Sequence, residues 1–239
     1  MNVPIVDKPS SDLTDEAVDT FYSCAVCQSI SPGHLCIVSP EHPGQCGVYT
    51  WQSCRAGYAA DLIGPYQPVP KGRLLDRRCG QWQGVNEAVL IASGGKTEKI
   101  NLYSLIDHPA TTCNQCEAIA AVLPKCNGFM VVSRDCHGMT PAGMTFQELR
   151  RYIGYGASTP GFVGHSKKAV TGRKFLAADG GLLRLVWMPS KLKKEIGDSL
   201  QQRAAELGVP DLSDRIADET MGVTEEAILP YFCLLYTSP

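Results

Sequence analysis

Four cysteines fall within 23 residues, at Cys24, Cys27, Cys36 and Cys46 of the stretch FYSCAVCQSISPGHLCIVSPEHPGQCGVYTW. A C-x2-C pair presents two thiolates from one tight turn, and two later cysteines can close the remaining positions, as four-cysteine zinc and iron–sulfur sites require. The same stretch is rich in Pro, Gly and His, and so predicts loops wrapped around a centre rather than regular elements. A second pair, Cys113 and Cys116 in TTCNQCEAI, starts 67 residues after Cys46, so the spacing predicts a site assembled from two distant segments.

The rest of the chain decides what such a site is attached to. With 239 residues, 44% of them hydrophobic, it can bury one large core or two small ones, and its eleven cysteines are not needed as disulfide staples. A formal net charge of −2 gives no global field for nucleic acid or anionic lipid, so neither is expected as a partner. The opening residues lack a basic region followed by an apolar run, and no apolar stretch approaches the length of a membrane span. A reducing cytoplasm, where thiols stay available as ligands, is the expected compartment. The closing CLLYTSP, residues 233–239, reads as a translated sequencing adapter, which would remove Cys233 from the ligand set; a genuine terminal strand or tail is the alternative.

Changing periodicity predicts an α/β domain over residues 21–232, a layered αβα arrangement with a mixed sheet and a Cys-rich N-terminal loop region carrying the metal, preceded by a polar tail over 1–20. Residues 56–80 read as an extended connector. VNEAVLIAS predicts a helix ended by Gly94 and Gly95, EKINLYSLI a strand, GFMVVSR and LLRLVWMP buried strands, and TFQELRRYIG a short helix. PSKLKKEIGDSLQQRAAELG, opening near Ser190, predicts an amphipathic helix on Leu192, Ile196 and Leu200, and DLSDRIADETM and TEEAILPYF predict two more. EAIAAVLP, rich in helix formers and stopped by Pro124, predicts a helix with Cys113 and Cys116 at its N-terminus, where free N–H groups and the helix dipole favour thiolate.

The blocks FYSCAVCQSISPGHLC, GVNEAV, INLYSLIDHP, TPGFVGH, KFLAADGG and RLVWMP, in order from about Asp19 to Phe232, together resemble the C-terminal, A-cluster-bearing domain of acetyl-CoA synthase, partner of carbon monoxide dehydrogenase. The resemblance implies a 4Fe–4S cubane on Cys24, Cys27, Cys36 and Cys46, bridged through Cys27 to a dinickel centre. It implies an acyltransferase that assembles acetyl-CoA from carbon monoxide, a methyl group delivered by a corrinoid iron–sulfur protein, and coenzyme A. Cys27, Cys113 and Cys116 would carry the catalytic metal, and further domains would lie ahead of this one in full-length members.

Two positions depart from the family. It has Cys-Gly-Cys followed by Phe and Glu at the distal nickel, where this chain reads Cys113, Asn114, Gln115, Cys116, Glu117. If Glu117 keeps register, Gln115 stands at the second family cysteine and Cys116 at the phenylalanine. As a Cys-x-x-Cys chelate, the loop carries a third amide between its thiolates, so the compact square-planar donor set that nickel(II) favours must skip a nitrogen. Ile30 stands where the family has a phenylalanine near the proximal nickel; it either fills the same apolar volume or widens the approach for small ligands.

Other assignments stay open. A structural zinc uses the same four thiolates, and Cys113 with Cys116 also reads as a redox dithiol. The competing function is therefore an iron–sulfur or zinc module, structural or electron-transferring, without dinickel chemistry. Cys54, Cys79, Cys126 and Cys136 read as small buried residues. His34, His42, His108 and His165 are either neighbours that tune the cluster or plain structural residues. Lys167, Lys168, Arg173 and Lys174 form either a contact for coenzyme A phosphates or a solvated loop.

Overall fold

AIAAVL and GFMVVS pair along their whole length. In the computed structural model, which describes residues 13–237 and their side chains as far as Tyr231, the paired residues run from Ala118 opposite Ser133 to Leu123 opposite Gly128. In chain order the strands are β1 (Thr20–Cys24), β2 (Cys36–Val38), β3 (Tyr66–Pro70), β4 (Leu74–Asp76), β5 (Gln81–Trp82), β6 (Ala118–Leu123), β7 (Gly128–Ser133), β8 (Phe162–His165) and β9 (Leu185–Trp187). The helices are α1 (Trp51–Ala60), α2 (Gln83–Ala92), α3 (Phe146–Ile153), α4 (Ser190–Glu195), α5 (Gly197–Glu206), α6 (Leu212–Arg215) and α7 (Glu225–Thr237).

The main sheet has the order β8-β6-β7-β9, antiparallel except for the parallel β7–β9 pair, so it is mixed as expected. Strand alternation sends its side chains into two cores. Ala118, Ala120, Phe129, Val131, Val163 and Leu185 join Val85 and Val89 of α2, Leu192 of α4 and Leu200 of α5. Ile119, Ala121, Leu123, Met130, Val132 and Trp187 pack instead with Phe146, Leu149 and Ile153 of α3 and Ile228 of α7. Helices thus cover both faces, which is the layered α/β class read from the sequence. Two smaller sheets, β2-β1-β3 and β4-β5, precede it.

Several local expectations are corrected. EAIAAVLP is strand β6, not a helix. As a strand, β6 gains two hydrogen-bonded neighbours, β7 and β8, which outweighs the helix propensity of its alanines and leucine. EKINLYSLI forms no strand, because side chains take its backbone donors. The Ile100 amide bonds Asn86, the Leu105 amide bonds Asp179, and the Ile106 and Asp107 amides bond the Ser104 hydroxyl. The long amphipathic helix is broken at Ile196 into α4 and α5, yet Leu192, Ile196 and Leu200 all stay buried. Ser190 is no cap; its amide and hydroxyl both bond Glu219.

The region 21–51 is not all loop, since β1 and β2 lie within it, and residues 56–80 are α1, β3 and β4 rather than a connector. Of the segment expected as a tail, residues 1–12 lie outside the described residues. Asp15 is wholly buried, its carboxylate taking the Tyr103 hydroxyl at 2.6 Å and the Glu41 amide at 2.8 Å. At the other end α7 runs to Thr237, and Ser238 and Pro239 lie outside the described residues. Among the described residues no helix is long and apolar enough to cross a membrane.

Trp187 is fully buried in the α3-side core, its indole N–H donating to the Gly222 carbonyl at 3.0 Å. Trp187→Ala should cost about 3–5 kcal/mol in urea denaturation, the usual range for a large buried aromatic. A loss below about 1 kcal/mol would contradict this packing.

Candidate metal centre

The antiparallel β1–β2 register sets Cys24 directly opposite Cys36, at the end of one strand and the start of the next. A 3₁₀ turn, Val26–Ser29, follows β1 at once and carries Cys27, whose carbonyl accepts both the Ile30 and the Ser31 amides. Cys46 sits in a tight turn closed by the Gly47 amide on the Gly44 carbonyl. Gly47 has φ +76°, and a Cβ there would lie 2.2 Å from a Glu117 carboxylate oxygen, so glycine is required for that approach.

These four thiols feel one another. Burial pushes Cys24 up to about 11, and the neighbouring Cys27 and Cys46 add to the rise. Cys36 is driven up by burial, with Cys24, Cys46 and Cys27 each opposing its ionisation. Cys24 and Cys36 are buried, while Cys27 and Cys46 are half-buried, so the set has a dry inner side and a wetter outer one. Among the described residues no group of three or more His, Cys, Asp or Glu is placed so that it could hold a metal ion. Four cysteines match in number the ligands of a four-iron cluster, in which each iron takes its own thiolate.

The second segment reaches this set through Cys113. Its thiol hydrogen-bonds that of Cys27; the bond lowers Cys27 to about 7 and raises Cys113, which burial raises further. The Gln115 amide donates to the Cys113 sulfur at 3.4 Å. Two buried polar side chains hold the segments together. Ser31 accepts the Asn114 amide at 3.1 Å and donates to the Gly154 carbonyl at 2.7 Å. Gln45 donates to the Thr111 carbonyl at 2.7 Å and accepts the Cys113 amide at 3.3 Å, and its own carbonyl accepts the Glu117 amide at 2.9 Å. Sequence reasoning missed Ser31 and Gln45; their only signal was adjacency to the cysteine array.

Cys116 takes a different direction. It is wholly buried among Ile119, Phe146, Leu149 and Ile153, and burial pushes its thiol up to about 12. A Cβ on Gly164 would come within 2.8 Å of the Cys116 Cβ, and Arg134 holds the Gln115 and Cys116 carbonyls through Nη2. Gln115 itself is exposed. With no helix behind the pair, the expected dipole effect is absent, and both thiols are raised rather than lowered. The fold therefore brings Cys27 and Cys113 together and sets Cys116 apart from them, in the core.

Ile30 is about half exposed, and its carbonyl accepts the Asn114 side-chain amide at 3.4 Å. His108 is exposed, has φ 46° and is paired with Asp107; it lines a cavity of about 680 Å³ whose wall includes Pro32, Gly33, Tyr155 and Gly156. His34 bonds Thr111 at 3.0 Å and is lowered to about 4 by burial. His42 and His165 stack edge-on 6.0 Å apart in the interior. The basic run divides: Lys167 pairs with Asp135 and Glu195 and Lys174 with Glu16, whereas Lys168 and Arg173 line a cavity of about 590 Å³ beside Trp51. Cys54 is buried as expected, but Cys79, Cys126 and Cys136 are only partly so.

The family profile for the C-terminal region of the ACS/CODH beta subunit matches residues 6–235. Carbon monoxide dehydrogenase/acetyl-CoA synthase subunit alpha of Moorella thermoacetica is 48% identical over 220 residues, covering 92% of this chain and 30% of that protein. Acetyl-CoA decarbonylase/synthase complex subunit beta of Methanopyrus kandleri is 38% identical over 223 residues, covering 93% and 46%. The solved C-terminal domain of an acetyl-Coenzyme A synthase alpha subunit aligns at 47% identity and a TM-score of 0.49, over 52% of this chain and 91% of that one. The chain thus spans less than half the length of these curated relatives.

Two outcomes are expected of the metal-free protein. Iodoacetamide should modify half-exposed Cys27 first, with a midpoint near pH 7, and Cys113→Ala should move that midpoint up, as followed by peptide mass spectrometry. His165 is lowered from 6.5 to about 3 by burial, so the unfolded chain binds a proton that the folded one refuses. Stability from this residue is complete above pH 6.5 and declines as pH falls toward 3, by about 2 kcal/mol at pH 5. Denaturant titrations of His165→Gln should show a flatter pH dependence.

Proposed function

The chain belongs to the family formed by the C-terminal region of the ACS/CODH beta subunit, and from that premise we propose that it is the metal-cluster domain of an acetyl-CoA synthase. It would assemble acetyl-CoA from carbon monoxide, a methyl group brought by a corrinoid iron–sulfur protein, and coenzyme A, working with a carbon monoxide dehydrogenase subunit. The observation that carries this reading is the seam of hydrogen bonds, from the Asn114 amide to Ser31 and from the Cys113 amide to Gln45, that sets Cys113 beside Cys27. It joins a four-thiol array to a fifth thiol from a distant segment, as a cluster bridged to a further metal requires.

In this reading Cys24, Cys27, Cys36 and Cys46 hold a 4Fe–4S cubane, and Cys27 also faces the nickel side with Cys113. When bound, a nickel–iron–sulfur centre supplies the place where carbon ligands are joined. The protein's own contribution is positional. Ser31 and Gln45 fix the distance between the two thiol-bearing segments. Buried Cys24 and Cys36 anchor the dry side, leaving the Cys27 side open to reactants. Ile30, half exposed beside Asn114, borders that open side.

The placement of Cys116 in the core favours a second reading, a cluster domain that is structural or electron-transferring without nickel chemistry. Anaerobic reconstitution separates the two. The first predicts about four irons per chain with cluster absorption. It also predicts nickel-dependent acetyl-CoA formation when carbon monoxide, a methylated corrinoid protein and coenzyme A are supplied. Cys24→Ser and Cys36→Ser should each lose most of the iron. Retention of zinc in place of iron, or a full iron complement with no nickel-dependent product, would overturn it.

A further inference from the structure

The two thiols of the Cys113–Cys116 loop do not point to one place. We propose, resting on the reading above, that the nickel side of this centre is mononuclear: a single nickel held between the Cys27 and Cys113 thiolates, with Cys116 outside its coordination sphere.

The segments that carry Cys27 and Cys113 are tied together from both sides. The Cys27 turn is tied to the second segment through Ser31 and the Asn114 amide at 3.1 Å, and the Cys113 amide is fixed by Gln45 at 3.3 Å. Asn114 is also tied through its side-chain amide to the Ile30 carbonyl. Cys27 is only half buried, which leaves room for solvent or a reactant at the remaining positions.

Cys116 is held away by the fold itself. Its side chain occupies the core formed with Ile119, Phe146, Leu149 and Ile153. Its carbonyl is taken by Arg134 at 2.8 Å, and the next residue, Glu117, donates its amide to both Gln45 and His165 before β6 begins. Turning Cys116 toward Cys113 would empty a packed position and break the start of the central strand. The residue that does stand on the solvent side of the loop is Gln115, whose amide lies 3.4 Å from the Cys113 sulfur. A neutral carboxamide is a hard oxygen donor and a poor substitute for thiolate at nickel, so a second ion lacks its second sulfur.

The test is metal counting on the intact chain, reconstituted anaerobically with iron and sulfide, then loaded with nickel chloride and desalted. Near a single nickel beside about four irons per chain is expected. Cys116→Val, which fills the same apolar space, should leave that nickel count unchanged. Cys113→Ser should lose the nickel while keeping the iron. Gln115→Cys should bring in a second nickel and strengthen the absorption of square-planar nickel(II) thiolates. A second nickel in the unaltered protein, no nickel at all beside a full iron complement, or loss of nickel in a folded Cys116→Val protein would each overturn the proposal. Failure to assemble iron would instead overturn the cluster reading on which it rests.

Discussion

The site depends on a seam of buried hydrogen bonds between two parts of the chain that sequence keeps far apart. Gln45 meets Thr111 and Cys113 from 66 and 68 residues away, and Ser31 meets Asn114 from 83 away. Each bond contributes only about 1 kcal/mol net, but a buried donor or acceptor left without its partner costs about 1–3 kcal/mol. The seam therefore acts as a register lock. If the second segment slipped by one residue, Gln45 would lose its partners and β6 would present the wrong face to each core. The meeting of Cys27 with Cys113 follows from this lock, together with the 3₁₀ turn that carries Cys27 and the antiparallel bridge of Cys113 to Tyr155.

Burial and pairing then divide the thiols into two kinds. Cys24, Cys36, Cys113 and Cys116 are raised, three of them chiefly by burial and Cys113 chiefly by the proton it shares with Cys27. Cys27 alone is lowered, by that same shared bond. A metal reverses the order among the raised thiols that face it, since coordination removes the proton outright. The same burial that disfavours thiolates without metal strengthens their attraction to a cation once it is bound, because little water screens it. On the proposed reading, gathering of metal and consolidation of this region would be coupled, with the buried pair Cys24 and Cys36 gaining most.

What the sequence displayed was the local part of this design. Cys24 and Cys27 are adjacent in a turn, and Cys36 follows within a short loop, so their spacing carries geometric meaning. Strand β7 and helix α3 were legible for the same reason: GFMVVS is apolar up to its closing Ser133, and Phe146, Leu149 and Ile153 recur at helical intervals. The misreadings share one cause. AIAAVL has helix-forming composition, and only its pairing with β7 and β8 makes it a strand. INLYSLI has strand composition, and only Asn86, Ser104 and Asp179 take its amides away. Ser31 and Gln45 left no trace because a polar residue in a polar loop has no periodicity to betray a distant partner.

Cys116 shows how far a spacing motif can be trusted. Cys-x-x-Cys implies a shared ligand only when both residues belong to one turn that is free to set its own shape. Here the second cysteine lies at the threshold of the central strand, and the sheet decides its orientation. The packing around it is close: a Cβ at Gly164 would sit 2.6 Å from the Thr112 methyl and 2.8 Å from the Cys116 Cβ, so glycine is needed opposite it in β8. In such a position cysteine serves as a small, polarisable apolar group. Its thiol is protonated and enclosed because the core requires its volume. The boundary between the cysteine array and the core is therefore drawn between Cys113 and Cys116, at the point where the loop stops answering to the array and starts answering to the sheet.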